Sequence, residues 1–550
     1  DTSGIQPYIF GSNRLQENIG ASEIVYRATT LWAFDALDAT GLKHNTIVRD
    51  CKAGEWVIDD ARALETDPNL DVEVVYAGGG NTLLIFRQME QARDFTRFLT
   101  KRILRDAPGL TLVARHTPMD WEHDRLSKKR KDLLKELAAH KQARLPSAPL
   151  LGLSVNAVCE STGLVAVRTT NGTTSIEGEV VRLKLSEDEE PRLASREAVA
   201  KLSWRDLALT RLYGQVGKSI LGAYKFPSDI DKLGRIMGEE SYVAVIHADG
   251  NRMGEHISKL EEEISWQDNI GKANRTFAQK LRGFSTAVES ASREALQTVV
   301  ELICRNIGWD PGRKQMMVAG KVPIDQDYLP FRPLVFGGDD VTFLCNAQLG
   351  LSVATAYLNA FEEKAAQHRL KDMHACAGIA MVKMHYPFAR AYVLSEALCR
   401  SAKKHVRDEV RTDCSAFDWH FAISGLSGDL KAIREREYKV SSGELVMRPL
   451  SLRAVGNLQD GRYWDSGMAK VIDTFQHDKD WVKRRNKVKG LREPLRWGPI
   501  AVANYRRNYD LPLLPALLPG DKAHREDGWS GGRCIYFDAI ELLDHHVHLS

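Results

Sequence analysis

Gly337-Gly338-Asp339-Asp340 is the stretch of this 550-residue chain whose residue types best suit chemistry. It lies between two β-rich apolar runs, FRPLVF before it and VTFLC after it, so the sequence predicts a hairpin with adjacent carboxylates at its tip. Glycines let the backbone turn tightly and leave room for a phosphate to approach. Adjacent acids bind hard divalent cations through oxygen, and such cations clamp nucleotide phosphates during in-line displacement. Taken alone the tetrad is equally an ordinary solvated turn, because Gly and Asp are common turn residues.

The elements around it decide the matter. Upstream, Tyr242 to Ile246 form an apolar run that ends in His247-Ala248-Asp249-Gly250-Asn251-Arg252-Met253-Gly254. A strand ending in Asp and opening through Gly-Asn into a helix delivers one more carboxylate. Downstream, Val353, Tyr357, Phe361 and Ala365 repeat every four residues and predict a helix. A strand over His374–Met384 follows, and after Pro387 a second helix ends at Ala402-Lys403-Lys404. The order is β-α-β-β-α-β, with helical material inserted after the first strand, which is the ferredoxin-like or palm arrangement. Adjacent strands of that sheet would bring Asp249, Asp339 and Asp340 together as a site for two Mg²⁺ or Mn²⁺ ions.

Asp249-Gly-Asn-Arg-Met-Gly, the GGDD hairpin, Ala377-Gly378-Ile379-Ala380 and Ala402-Lys403 resemble the second palm of the large polymerase-like subunit of type III CRISPR effector complexes. The resemblance is specific over roughly Tyr242 to Asp408, and Glu444 to Pro449 resembles a segment just after that palm. It implies a nucleotidyltransferase that condenses ATP into cyclic oligoadenylate messengers in antiviral defence. Asp249, Asp339 and Asp340 would be its catalytic metal ligands. Gly337, Gly338, Gly250, Asn251 and Ser285 would line the nucleotide, and Lys403 would grip the triphosphate. Guide or target RNA and other effector subunits are the implied partners. Many members carry an HD nuclease before the first palm; here the first palm starts within ten residues of Asp1, so that domain is not expected in this sequence.

A second copy of the pattern lies near the start. Tyr8-Ile9-Phe10 is expected as a strand, and Asn13-Arg14 matches Asn251-Arg252 in step with an aliphatic, a Glu and an Ile. A helix pattern (Val25, Ala28, Leu31, Trp32, Ala36), a hairpin tipped by Gly78-Gly79-Gly80-Asn81, a helix over Met89–Arg105 and a strand over Leu110–Arg115 follow. Aligned on the tips, Gly80-Asn81 replaces Asp339-Asp340, and Gly11 or Ser12 replaces Asp249. The expectation is an α+β chain: a degenerate palm (1–117), a small linking domain (118–238), a GGDD palm (239–415) and a mainly helical C-terminal domain (416–550). The degenerate copy would hold a second nucleotide, with Gly78 and Gly79 close to its phosphates.

Composition narrows the remaining classes. Apolar residues make up 43%, and no uncharged run is long enough to span a membrane, so a cytoplasmic protein without membrane contact is expected. Eight cysteines without any CxxC pair indicate reduced thiols. Val158-Cys159-Glu160-Ser161-Thr162-Gly163 looks like a ribbon knuckle lacking its second cysteine, so no zinc is expected. Lys479–Arg492 carries seven Lys/Arg against one Asp around Trp481, a candidate RNA contact or a solvated face. His123-Asp124 and His477-Asp478 lack companion ligands. Two alternatives stand beside the cyclase: a non-catalytic RNA-binding scaffold, and a stand-alone defence nucleotide synthase. A diguanylate cyclase fits less well, because Asp340-Val341 stands where that family has Glu-Phe.

Overall fold

The computed structural model describes residues 1–143, 155–184, 189–235, 241–422, 428–455, 461–518 and 523–550. In the first copy, β1 (Thr2–Ser3) turns through Gly4 into α1 (Ile5–Phe10). After further helices and a ribbon come the hairpin β2 (Val72–Gly78) and β3 (Asn81–Phe86), α2 (Met89–Asp106), β4 (Thr111–Leu112) and α3 (Leu126–Ala143). The second copy comprises β5 (Tyr242–Gly250), α4 (Met253–Glu262), α5 (Ile270–Arg305), β6 (Phe331–Val335), β7 (Asp340–Asn346), α6 (Gly350–Gln367), β8 (Ala375–Lys383) and α7 (Phe388–His405). Two more strands, β9 (Ala416–Ala422) and β10 (Leu450–Ser451), complete its sheet in the order β6-β7-β5-β8-β9-β10. The first four strands pair antiparallel in the ferredoxin-like order, and β9 joins β8 in parallel.

The apolar runs of β5 and β8 are continuous because both faces of the sheet are covered. Ala244, Ile246 and Ala248 belong to the core beneath α5 and α6. Val243 and Val245 belong to a second core that also contains Tyr8, Ile9 and Phe10 of the first copy and Phe388, Ala391 and Tyr392 of α7. One face of the second copy's sheet thus packs on its twin. The two copies are also joined by buried charge. Glu73 of β2 is fully buried and accepts from Arg275 Nη1 at 2.5 Å and from Arg282 Nη2 at 3.0 Å, both on α5. Arg282 donates as well to the carbonyls of Val74 and Val75.

Several expectations change. Tyr8-Ile9-Phe10 are helical, not a strand. Three consecutive buried apolar residues suit either element, and Pro7 is tolerated because it lies in the first helical turn. The Asn13/Asn251 match is therefore not the structural one. Thr2 N–H donates to Gly80 O at 2.9 Å, as Gly250 N–H donates to Asp339 O at 3.2 Å. Gly4 and Arg252 both cap the following helix in the left-handed region. These equivalences place Gly80-Asn81 over Asp339-Asp340, and they place Asp1, rather than Gly11 or Ser12, where the second copy has Asp249. Lys141 Nζ meets the Asp1 carboxylate at 2.8 Å and Thr2 O at 3.2 Å, just as Lys403 meets Asp249 and Gly250 O at 2.7 and 2.8 Å. The first copy therefore continues through α3, beyond residue 117, and keeps one carboxylate paired with one lysine. Of the strand expected over 110–115, only Thr111–Leu112 pairs.

Residue 415 is not an edge either, since β9 and β10 extend the palm sheet. The C-terminal region that follows is mainly helical. It is tied back by Arg448, which is fully buried, pairs with Glu541 at 2.6 Å and lies over the rings of Trp419 and Tyr438. In the linking region the β-rich segment forms the hairpin Thr173–Ile176/Glu179–Arg182, while part of the acidic turn 186–191 lies outside the described residues. Around Cys159 the neighbours are hydroxyls: Ser161 Oγ at 3.4 Å, and Thr162 Oγ1 hydrogen-bonded to Ser195 Oγ at 3.0 Å. Hydroxyls are poor zinc donors beside a single thiol.

Glu73→Ala leaves two guanidinium groups at the join without their shared carboxylate. We expect a stability loss of about 3–5 kcal/mol by chemical denaturation, the range for breaking one partner of a buried pair. A loss below about 1 kcal/mol would show that the join does not depend on it.

Candidate active site

Cross-strand register builds the site. Asp249, near the end of β5, is directly opposite Asp340, the first residue of β7. Directly opposed residues point to the same face, with Cβ atoms about 4.5–5.5 Å apart. His247 shares that face because side chains alternate along a strand. It is the face that packs toward the first copy. Gly250 follows, and its lack of a side chain makes room: a Cβ there would lie 3.0 Å from Asp339 Cβ, tighter than an ordinary contact. The glycine lets the hairpin tip close onto the end of β5.

Negative charge is crowded here. Burial and then the neighbouring carboxylates of Asp249 and Asp340 push the Asp339 carboxyl up to about 6, with Lys403 acting against them. Lys403 comes from the last turn of α7, and its ammonium bonds to Asp249 Oδ2 and Gly250 O. Burial opposes its charge, but Asp249 outweighs burial and raises the lysine. Asp340 Oδ1 is shielded from water and accepts no hydrogen bond; His247 Nδ1 stands 3.3 Å from it.

The described residues contain no three acid, thiol or imidazole groups already gathered as a metal cage. The donor chemistry nevertheless fits a hard cation: oxygen ligands only, an orphaned carboxylate oxygen, and an Asp339 carboxyl raised by burial and by its neighbours' charge. In the arrangement present, Lys403 supplies the compensating positive charge.

The other expected residues divide. Asn251 is buried and braces the loop: its Nδ2 donates to Cys414 O at 3.1 Å and its N–H to His374 O at 2.8 Å. Gly337 and Gly338 border open space at the tip, and Gly337 has φ +105°. Gly78 and Gly79 form the twin tip, with φ +145° and +59° and open space beside both. Ser285 is half-buried on α5; no described contact joins it to the carboxylates. A cavity of about 830 Å³ lies in the first copy between β3, α2 and α3, lined by Asn81, Leu83, Phe95 and Trp121 among others. None of the three carboxylates lines it. In the basic run, Trp481 is buried, Arg485 and Lys489 pair with Asp544, and Lys487 sits over Tyr509. Sequence reasoning missed His247 and Tyr392. The period-two spacing of His247 and Asp249 was the available signal for the first.

Residues 242–411 match the family model of Cas10/Cmr2, second palm domain. No curated protein sequence matches the chain. Among solved structures, a Csm1–Csm4 cassette in complex with AMPPNP aligns at 13% identity, covering 99% of this chain and 68% of that one, with TM-score 0.52. The cassette in complex with cA4 aligns at 12% identity over the same shares, with TM-score 0.51. The complex with pppApApA gives 12% identity, 100% and 69% coverage, and TM-score 0.50. Residues 242–411 thus match that second-palm family, and the fold of the chain is similar to that of the Csm1–Csm4 cassettes.

Asp339→Asn tests the charge crowding directly. With a folded pKa of about 6 against an unfolded value of 3.8, the ionised Asp339 destabilises the folded state above pH 6. The neutral amide removes that cost. In metal-free buffer at pH 7.5 the variant should be more stable by about 1–3 kcal/mol. The gain should shrink as pH falls through 6 and vanish below about 4, where both states protonate the wild-type acid. A variant less stable than wild type at pH 7.5 would contradict the crowding.

Proposed function

We propose that this chain is a nucleotidyltransferase that condenses ATP into cyclic oligoadenylates, as part of a type III CRISPR effector. The observation that carries the proposal is the register that sets Asp249 against Asp340, with Asp339 at the adjoining tip and Lys403 bonded to Asp249. The fold neighbours support the substrate class, since Csm1–Csm4 cassettes with AMPPNP, pppApApA and cA4 share this architecture.

Asp249, Asp339 and Asp340 would hold two Mg²⁺ or Mn²⁺ ions, whose chemistry is to lower the pKa of an attacking ribose hydroxyl and neutralise the departing pyrophosphate. The chain's own residues do the rest. The hairpin tip, with no side chains at Gly337 and Gly338, leaves the triphosphate free to approach the backbone. Lys403, whose ammonium stands at the site beside Asp249 and Gly250 O, would pair with phosphate oxygens of the nucleotide. Bond formation needs the acceptor hydroxyl within about 3–3.5 Å of the donor phosphorus. The first copy, packed on the same face as the carboxylates, is the surface that holds the acceptor nucleotide. A subunit in the place of Csm4, and RNA, are the proposed partners.

One observation favours a second reading, a non-catalytic scaffold: Lys403 already neutralises Asp249, as Lys141 does Asp1 in the twin copy. The two are separated by product analysis. Purified protein incubated with ATP and Mn²⁺ should yield oligoadenylates by mass spectrometry. Asp339→Ala with Asp340→Ala should reduce the yield at least 10³-fold, on the order of losing the principal electrostatic stabilisation, with the fold intact. Equal yield from the folded double variant would sink the assignment, and no product from wild type with ATP, alone or with RNA and partner subunits, would favour the scaffold.

A further inference from the structure

His247 and Tyr392 have no part in the chemistry above, yet His247 is buried against Asp340 and Tyr392 is buried against His247. We infer that His247 is a positioning residue for the Asp340 carboxylate, and that Tyr392 and Phe10 couple this positioning to the first copy. The inference rests on the metal-site reading of Asp340.

The chain of contacts is continuous. His247 Nδ1 lies 3.3 Å from Asp340 Oδ1 and 3.5 Å from the Tyr392 hydroxyl. The two rings meet edge to face at 5.4 Å and 70°. On its other side Tyr392 stacks on Phe10 at 4.1 Å and 13°. All three are buried, at 5%, 3% and 2% exposure. Phe10 ends α1 of the first copy, and Gln6 of the same helix reaches the Tyr392 hydroxyl. A second tie runs in parallel: Asn13 Oδ1 accepts from Phe388 N–H at 3.1 Å, holding the first turn of α7. That helix carries both Tyr392 and Lys403.

The physical role follows from Asp340 Oδ1, which is shielded from water and has no hydrogen-bond partner among the described residues. A carboxylate with neither oxygen fixed rotates about its last torsion and offers its oxygens at random to a cation. The Nδ1 edge of His247 stands 3.3 Å from Oδ1; as a donor it would favour one orientation of the carboxylate and leave Oδ2 for the cation. Partners of this kind, one step removed from a metal, set ligand orientation and typically change affinity or activity 10- to 100-fold. Tyr392 fixes the imidazole plane, and the Phe10 stack fixes Tyr392. The first copy thereby reaches the second copy's acids through packing, separately from any nucleotide it holds.

Mn²⁺ binding to the metal-free full chain, followed by electron paramagnetic resonance and calorimetry, tests this without turnover. His247→Leu should raise the Mn²⁺ dissociation constant about 10-fold or more at an unchanged melting temperature. His247→Gln, which keeps an N–H, should recover most of the affinity. Tyr392→Phe and Phe10→Leu should each weaken binding, and neither should add to His247→Leu. Asp340→Asn is the reference for loss of the ligand itself. If wild type binds Mn²⁺, Asp340→Asn abolishes it and folded His247→Leu is unchanged, the inference fails while the metal site stands. If wild type binds no Mn²⁺, both fail. Should His247→Leu not fold, undiminished binding by Tyr392→Phe overturns the inference, and fully additive effects of Phe10→Leu would overturn the link to the first copy.

Discussion

The opposition of Asp249 and Asp340 across two antiparallel strands is the constraint on which the site depends. Strand side chains have a period of two, so a slip of one residue would turn either acid to the far face of the sheet. The register is held by the continuous ladder from Val243/Asn346 to Asp249/Asp340 and, on the other side of β5, by pairing to β8. The carboxylates are therefore brought together by backbone hydrogen bonding and by burial of Val243, Val245 and Leu344, far more than by any affinity for one another. Their mutual repulsion is the cost. It shows in the raised Asp339 carboxyl and is offset by the Lys403 ammonium.

The duplicated architecture explains where that charge can go. The sheet of the second copy has no solvent face, because helices cover one side and the first copy with α7 covers the other. Asp249, His247 and Asp340 point into that second interface. The buried Glu73–Arg275–Arg282 cluster fixes α5 to β2, and the Phe10–Tyr392 stack fixes α1 to α7. Both joins lie on the twin copy, so it contributes structure to the site whatever else it binds. Its own remnant, Asp1 with Lys141, shows what the arrangement becomes when a hairpin tip carries Gly80-Asn81 in place of two acids.

Much of this was legible in the residues. The GGDD tip flanked by apolar runs could only be a hairpin, and the strand ending at Asp249 gave the third acid. The helices at 350–367 and 388–405 announced themselves by four-residue spacing and by Pro387. The twin copy was legible at its hairpin and at α2, where Gly78 to Asn81 and a long amphipathic helix leave little choice. Its start was not. Ile5 to Phe10 has too few residues to display a period, and a short apolar run is compatible with strand or helix until packing decides. The Asn-Arg match at Asn13 then pulled the alignment ten residues out of step and hid Asp1. The contribution of β9 to the sheet was hidden because Phe417 to Ala422 follows two helices and pairs in parallel, a long-range choice. The bracing contacts of Asn251 were not legible, since its partners Cys414 and His374 are distant in sequence.

The central claim is that Asp249, Asp339 and Asp340 form one cation site at the interface of the two copies. Anomalous diffraction from crystals of the full chain grown with Mn²⁺ and a non-hydrolysable ATP analogue tests it most directly. Manganese peaks are expected within about 2.0–2.3 Å of carboxylate oxygens of Asp249 and Asp340, with Lys403 moved from Asp249 toward phosphate. Saturating Mn²⁺ with no peak at these residues, and Lys403 still bound to Asp249, would contradict it.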